Sequence, residues 1–149
     1  ENKKLGNIQI LDIGCGYGVV SVVVKRFFEK AKILSTDVNE RALELTRENI
    51  QKNNRTDDFE VRKSFVFDNI SENFDMILSN PPIRAGKQVI FEIYEKSFFH
   101  LNKNGKFYCV IQTKHGAKST KKKLEELFGN CTTLVIEAGY RIFRCVKNS

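Results

Sequence analysis

The chain has 149 residues, 41% of them hydrophobic, with 9 glycines, 2 prolines and a formal charge of +7. That is enough for one domain with its own core, and the composition is that of an ordinary globular protein rather than a disordered or fibrous one. No apolar run approaches a membrane span and the polar start ENKKLGNIQI is no signal peptide, so a cytoplasmic setting is expected.

The chain starts at Glu1 and its only methionine is Met76, so a segment of the full protein is expected upstream of this single domain, residues 1–149. The four cysteines, Cys15, Cys109, Cys131 and Cys145, stand singly, and His100 and His115 are too far apart for a helical metal pair. No zinc spacing exists, and the cysteines are expected to be reduced and structural, with no metal site.

In chain order, IQILDIG (residues 8–14) reads as a short apolar strand and VVSVVVKRFFEK (19–30) as a helix covering a sheet. KILSTD (32–37) is a second strand, and NERALELTRENIQKN an amphipathic helix with Asn39 as N-cap and Ala42, Leu43, Leu45, Thr46 and Ile50 inward. FEVRKSFVF and FDMILSN are expected as strands three and four, a helix spans about Gln88 to Leu101, and GKFYCVIQT (105–113) is strand five. A helix at about Lys118 to Phe128 then leads to two strands, CTTLVIEA and YRIFRCVK, joined tightly at Gly139. Alternating apolar strands and helices imply a doubly wound, Rossmann-like α/β fold: a mostly parallel seven-stranded sheet with an antiparallel C-terminal hairpin at its edge.

Ligands of such sheets bind beyond the carboxyl ends of the strands, where the strand order reverses. Three motifs fall there. The first strand closes on LDIGCGYG, with Asp12, Gly14, Gly16 and Gly18 around Cys15; glycines let a ligand lie against backbone. Asp37 ends the second strand roughly 20 residues on, where a carboxylate can accept from both ribose hydroxyls of an adenosine-type cofactor. A helix-entry role before Asn39 is the competing explanation for Asp37.

The glycine pattern is D-x-G-x-G-x-G rather than the G-x-G-x-x-G of dinucleotide loops. A carboxylate two residues before the first glycine repels pyrophosphate and suits a cationic amino-acid moiety, which points to S-adenosylmethionine. The third motif is SNPPIRAGK. Proline cannot donate to a ladder, so the fourth strand ends near Ser79. The Asn80 side-chain oxygen and the Pro81 carbonyl, stiffened by Pro82, can accept both hydrogens of a planar –NH₂ and aim its lone pair at a sulfonium methyl. An Asn-Pro turn without chemistry is the plain alternative.

Charge divides the chain. Residues 1–83 hold 12 Lys and Arg against 13 Asp and Glu, whereas residues 84–149 hold 13 against 5. The basic half favours a polyanionic partner, with Arg84 and Lys87 beside the amine pocket and Lys114 and Lys118 at and beyond the end of strand five. A solvated helix face accounts equally for the lysines of KSTKKKLEEL.

Taken together, LDIGCGYGVV, STD, SNPPIRAGK, VIQTKHGAKS and GYRIF resemble the small-domain class I S-adenosylmethionine-dependent methyltransferases, and among them those acting on guanine N2 of small-subunit ribosomal RNA. The resemblance spans nearly the whole chain. It implies a seven-stranded sheet, S-adenosylmethionine as methyl donor, a ribosomal RNA partner, Asn80, Pro81, Pro82 and Ile83 at the reacting amine, and Asp12, Gly14, Cys15, Gly16, Gly18, Asp37, Val38 and Phe65 around the cofactor. Two positions depart from the family pattern. Phe65 stands where an acidic or amide residue usually meets the adenine amine, so apolar or backbone contact replaces it. Ile83 stands where many amine methyltransferases carry an aromatic that stacks on the target base, which leaves Phe143 or Tyr140 as candidates, each also readable as core. An acceptor in DNA adenine or a protein glutamine amide, and a non-catalytic RNA-binding module, are the alternatives.

Overall fold

The computed structural model describes residues 7–14, 25, 28–53, 56–81 and 83–148. Within them, seven strands form one sheet: β1 (Gln9–Ile13), β2 (Lys32–Asp37), β3 (Phe59–Lys63), β4 (Phe74–Ser79), β5 (Leu101–Gln112), β6 (Thr132–Glu137) and β7 (Tyr140–Val146). Three helices accompany them, α1 (Glu40–Lys52), α2 (Lys87–His100) and α3 (Ala117–Phe128). The order across the sheet is β3-β2-β1-β4-β5-β7-β6, with β1 to β5 parallel and β7 antiparallel to both of its neighbours.

The burial of β1 explains its central place. Ile10, Leu11, Asp12 and Ile13 are all buried, so neither face of this strand meets water. Alternation divides them: Leu11 joins a large core with Ile77, Tyr94, Phe107, Leu124 and Phe143, while Ile10 joins a smaller one with Ile8, Ala31, Ile33 and Met76. The larger core receives Ile90, Ile93 and Tyr94 from α2 and Leu124 and Phe128 from α3. Tyr94 ties the two helices together, its Oη 3.0 Å from Thr120 Oγ1. Desolvation raises the Tyr94 pKa and pushes the neighbouring Cys109 thiol up to about 12, so both stay neutral in the core.

Helix α1 begins where its sequence says it should. The Asn39 side chain accepts from the amides of Arg41 and Ala42, and Leu43, Thr46 and Ile50 are buried while Ala42 and Leu45 are half-buried. The helix expected over residues 19–30 falls largely outside the described residues; Lys25 within it is buried, its Nζ 2.8 Å from Asp58 Oδ2 and 2.8 Å from the Ala31 carbonyl. Cys109, Cys131 and Cys145 are free thiols.

Two strands differ from their sequence reading. The run FEVRKSFVF is strand only to Lys63, because Ser64 turns the chain: its Oγ donates to the Val66 carbonyl at 3.1 Å and accepts from the Asn69 amide at 3.1 Å. Val66 and Phe67 are apolar because they plug the core beneath this turn, with Val66 at φ 50°. Arg62 fastens the same segment by bridging Glu60 and Glu72, and the guanidinium holds Glu72 down to about 2. Strand β5 in turn starts at Leu101, directly after α2, instead of at Gly105.

The early part of β5 is irregular, with Asn104 at φ 68° and a register shift against β4 between Phe74 and Met76. Gly105 is required there by close approach: an added Cβ would lie 2.8 Å from the Asn102 carbonyl oxygen and 2.9 Å from Leu101 Cδ2. Gly105→Ala is therefore expected to lower the unfolding free energy by about 1–3 kcal/mol, the usual cost of forcing extra volume into a packed site. Urea denaturation measures it, and a midpoint equal to wild type would show that the backbone yields freely.

Candidate cofactor and substrate site

Because β1 to β5 are parallel, their carboxyl ends share one edge of the sheet. From β1 the chain builds outward to β2 and β3, then returns to place β4 on the other side of β1, so the strand order reverses between β1 and β4. Ile13 is level with Thr36 of β2 and with Ser79 of β4. The ends of these three strands therefore lie side by side.

Gly14 leaves β1 with φ +72°, a conformation that side chains other than glycine rarely adopt, and its amide donates to the Thr36 carbonyl at 2.9 Å. A Cβ on Gly14 would sit 4.0 Å from the Asn80 backbone oxygen, which puts the start of the glycine turn against the N-P-P segment. Asp12, two residues earlier, is buried at 4% exposure. Cys15, Gly16 and Gly18 lie outside the described residues, as does Pro82. Asn80 is exposed and Pro81 buried; residues 83–85 form a short 3₁₀ turn that leads into α2, and the Ile83 side chain is outside the described set.

At the end of β2, Asp37 Oδ1 accepts from the Asn39 amide at 3.0 Å. The helix-entry role weighed from sequence is thus present, and it fixes the carboxylate at the strand end. Beside it, Val38 and Phe65 are each 51% exposed, two large apolar side chains facing water at the ends of β2 and β3. The Ser64 amide donates to the Asp37 carbonyl at 3.0 Å, which keeps the two strand ends together. A carboxylate flanked by exposed apolar surface matches the ribose and adenine of an adenosine cofactor, and Phe65 offers apolar contact where a hydrogen-bonding side chain would otherwise stand.

A feature absent from the sequence reading supports a ligand at this edge. Five buried side-chain polar atoms among the described residues lack a hydrogen-bond partner: Thr36 Oγ1, Ser79 Oγ, Gln112 Oε1, Arg141 Nε and Ser97 Oγ. The first four sit within the last two residues of β2, β4 and β5 or the first two of β7, at the same edge; only Ser97 lies elsewhere, in α2. An orphaned buried group costs about 1–3 kcal/mol, so such groups concentrate where something else meets them. Thr36 and Ser79 read in sequence as ordinary strand ends, and only the register reveals that they flank Ile13.

The four basic candidates are all exposed. Arg84 is in the 3₁₀ turn, and Lys87 opens α2 with its Nζ 5.2 Å from the centre of the Phe91 ring. Lys114 lies in the turn after β5 and Lys118 in the first turn of α3. Other lysines of α3 are engaged: Lys121 donates to Thr133 Oγ1 and Lys123 pairs with Glu95 at 2.8 Å. Of the two aromatic candidates, Phe143 is fully buried opposite Cys109 and belongs to the core, so it cannot meet a base. Tyr140 is 41% exposed, with its Oη accepting from Gln112 Nε2 at 2.9 Å.

The methyltransferase small domain family model matches residues 2–144. The chain belongs to the methyltransferase small domain family. It is 44% identical over 140 residues to the uncharacterized protein YbxB of Bacillus subtilis, an alignment covering 93% of this chain and 69% of that protein. It is also 31% identical over 144 residues to ribosomal RNA small subunit methyltransferase C of Erwinia tasmaniensis, covering 94% of this chain but 41% of the relative. This chain thus spans about two fifths of that relative's length.

Among solved structures, a methyltransferase from Pyrococcus furiosus superposes with a TM-score of 0.81 at 25% identity, over 97% of this chain and 77% of that one. The T. thermophilus 16S rRNA N2 methyltransferase, solved with AdoMet and guanosine, has a TM-score of 0.82 at 23% identity over 95% of this chain and 38% of its own. At that identity the likeness shows the shared fold. The chain has the Rossmann-like fold expected of it, shared with these methyltransferases.

Asp37→Ala is expected to weaken S-adenosylmethionine binding by on the order of 1.5–3 kcal/mol, the worth of hydrogen bonds to a charged acceptor. Calorimetry reads the affinity and circular dichroism the fold. Unchanged affinity in a folded variant would remove Asp37 from the cofactor site and leave it the helix-entry role alone.

Proposed function

We propose that this methyltransferase acts on guanine N2 in small-subunit ribosomal RNA. The observation that carries the reading is the exposed Asn80, at the point where strand order reverses, with its backbone against the Gly14 turn and Pro81 buried behind it. S-adenosylmethionine supplies a methyl group activated by its sulfonium. Asp37 would hold the ribose hydroxyls, Val38 and Phe65 would flank the adenine, and Asp12 would complement the charge of the cationic amino-acid end. By the sequence pattern, Cys15, Gly16 and Gly18 would also hold the cofactor.

The amine of a nucleobase is planar because its lone pair is delocalised into the ring. Asn80 Oδ1 and the Pro81 carbonyl accept one N–H each, which favours the tetrahedral form of the nitrogen and directs the freed lone pair at the methyl carbon. Proline at position 82 restricts the backbone of this segment, and by the sequence pattern Ile83 would adjoin the base. The departing proton passes to water once the nitrogen has become cationic, so no strong general base is needed. Arg84, Lys87, Lys114 and Lys118 supply phosphate contacts, which carry affinity without sequence information. The +8 charge of residues 84–149 favours an RNA acceptor over a protein amide, and the relatives named for small-subunit rRNA methylation favour ribosomal RNA over DNA. A cytoplasmic setting follows from that substrate.

Incubation with labelled donor and total RNA, followed by mapping, should place the label on N2 of a guanine in small-subunit RNA. Label on adenine or on a protein glutamine would replace this acceptor with one of the alternatives. Asn80→Ala should leave cofactor affinity nearly intact while lowering turnover roughly 10²-fold or more, as loss of one transition-state acceptor does. Equal loss of both properties would mark Asn80 as a structural turn.

A further inference from the structure

The far end of the β5–β7 ladder holds a feature that the reacting-amine geometry does not use. Gln112, the last residue of β5, is paired in register with Tyr140, the first of β7. The hairpin that delivers Tyr140 turns through Ala138 and Gly139, both at positive φ (51° and 81°), and is pinned by the Thr113 amide donating to the Gly139 carbonyl at 2.8 Å. Between these segments lies a depression of about 410 Å³ lined by Gln112, Thr113, Lys114, Ala138, Gly139 and Tyr140.

Three observations describe what would fill it. Tyr140 presents a 41% exposed ring, yet the ring is not loose, because Gln112 Nε2 donates to its hydroxyl at 2.9 Å. The other end of the same amide, Gln112 Oε1, is buried without a partner. A nucleobase edge carries N–H groups that suit such an acceptor, and its face suits an exposed, anchored phenol ring. Lys114, exposed on the rim, adds a cation at phosphate reach.

Position relates this depression to the reacting amine. Ser79 is level with Cys109, so Asn80 stands about level with Val110, two residues short of Gln112. Tyr140 is two strands from β4, which at the usual strand spacing is about 10 Å to the side and about 7 Å further out. That offset sets the ring beyond Asn80, to the side and further out, where a nucleotide next to the methylated guanine would lie.

We propose that the depression is a subsite for an unpaired RNA base flanking the methylated guanine, stacked on Tyr140 and met at its edge by Gln112. The subsite rests on the RNA reading above and adds a contact outside the reacting nucleotide. It makes the enzyme prefer an acceptor guanine whose neighbour on one side is also unstacked.

The test uses a small-subunit RNA fragment that the wild-type chain methylates, and versions of it with an abasic site on one or the other side of the target. Tyr140→Ala is expected to raise KM for the intact fragment about 10-fold, within the range found for removal of a base-stacking aromatic. Tyr140→Phe should stay within about 2-fold of wild type, and both variants should bind S-adenosylmethionine as wild type does. An abasic site on one side should raise the wild-type KM to a similar extent and have little further effect in Tyr140→Ala. A wild-type KM in Tyr140→Ala, or an abasic penalty that persists in full in that variant, would overturn the subsite alone. Failure of the wild-type chain to methylate any RNA would overturn the RNA reading and the subsite with it.

Discussion

The structure depends on the register of β1 with its two neighbours. Ile13 sits opposite both Thr36 and Ser79, so the three strands end at one level although they are separated in sequence by tens of residues. Shifting either neighbour by one residue would reverse which side chains face each core, and Ile10 and Leu11 leave no room for that, because each is fully buried on its own side. The packing of two cores thus fixes where a glycine turn, a carboxylate and an N-P-P segment come together. The place of the candidate site follows from a constraint that is itself apolar.

The polar side of the same arrangement is less settled. Most of the fold satisfies its hydrogen-bonding groups, as the Asn39 cap, the Ser64 turn and the Lys147 ammonium on the carbonyls of Phe98 and Leu101 illustrate. The carboxyl edge does not: Thr36, Ser79, Gln112 and Arg141 each keep a buried polar atom unpaired. Exposed Val38 and Phe65 add apolar surface in contact with water at that edge. Unpaired polar atoms and exposed apolar surface both disfavour the empty edge, and a ligand that met them would stabilise the folded chain.

Much of this was legible in the sequence, for identifiable reasons. Strands buried on both faces announce themselves as apolar runs, and Asn39 and the N-P-P pair mark boundaries through hydrogen bonds that they make or cannot make. The sequence pattern runs the third strand past Lys63 because Val66 and Phe67 are apolar for the sake of a turn that plugs the core, and periodicity does not distinguish that from a strand. Strand β5 extends further back than its apolar run because Asn102 to Gly105, loop-like in composition, form an irregular stretch of ladder. At the site, Asp37 and Asn80 carry chemistry in their residue type. Gln112 and Tyr140 do not, since their partnership depends on a register across a hairpin that brings residues 28 apart into contact.

The place of β7 has a consequence for how the chain folds. It is the last strand in sequence but lies inside the sheet, between β5 and β6, and contributes the fully buried Phe143 and Cys145 to the larger core. During synthesis, β1 to β5 can emerge and pair while the outer edge of β5, from Lys106 to Gln112, stays open until the C-terminal hairpin arrives. For that interval the nascent chain carries an unpaired apolar edge, the kind that recruits strands from other chains. Shielding of β5 thus falls to whatever accompanies the chain as it leaves the ribosome, and truncation within residues 140–146 would make the exposure permanent.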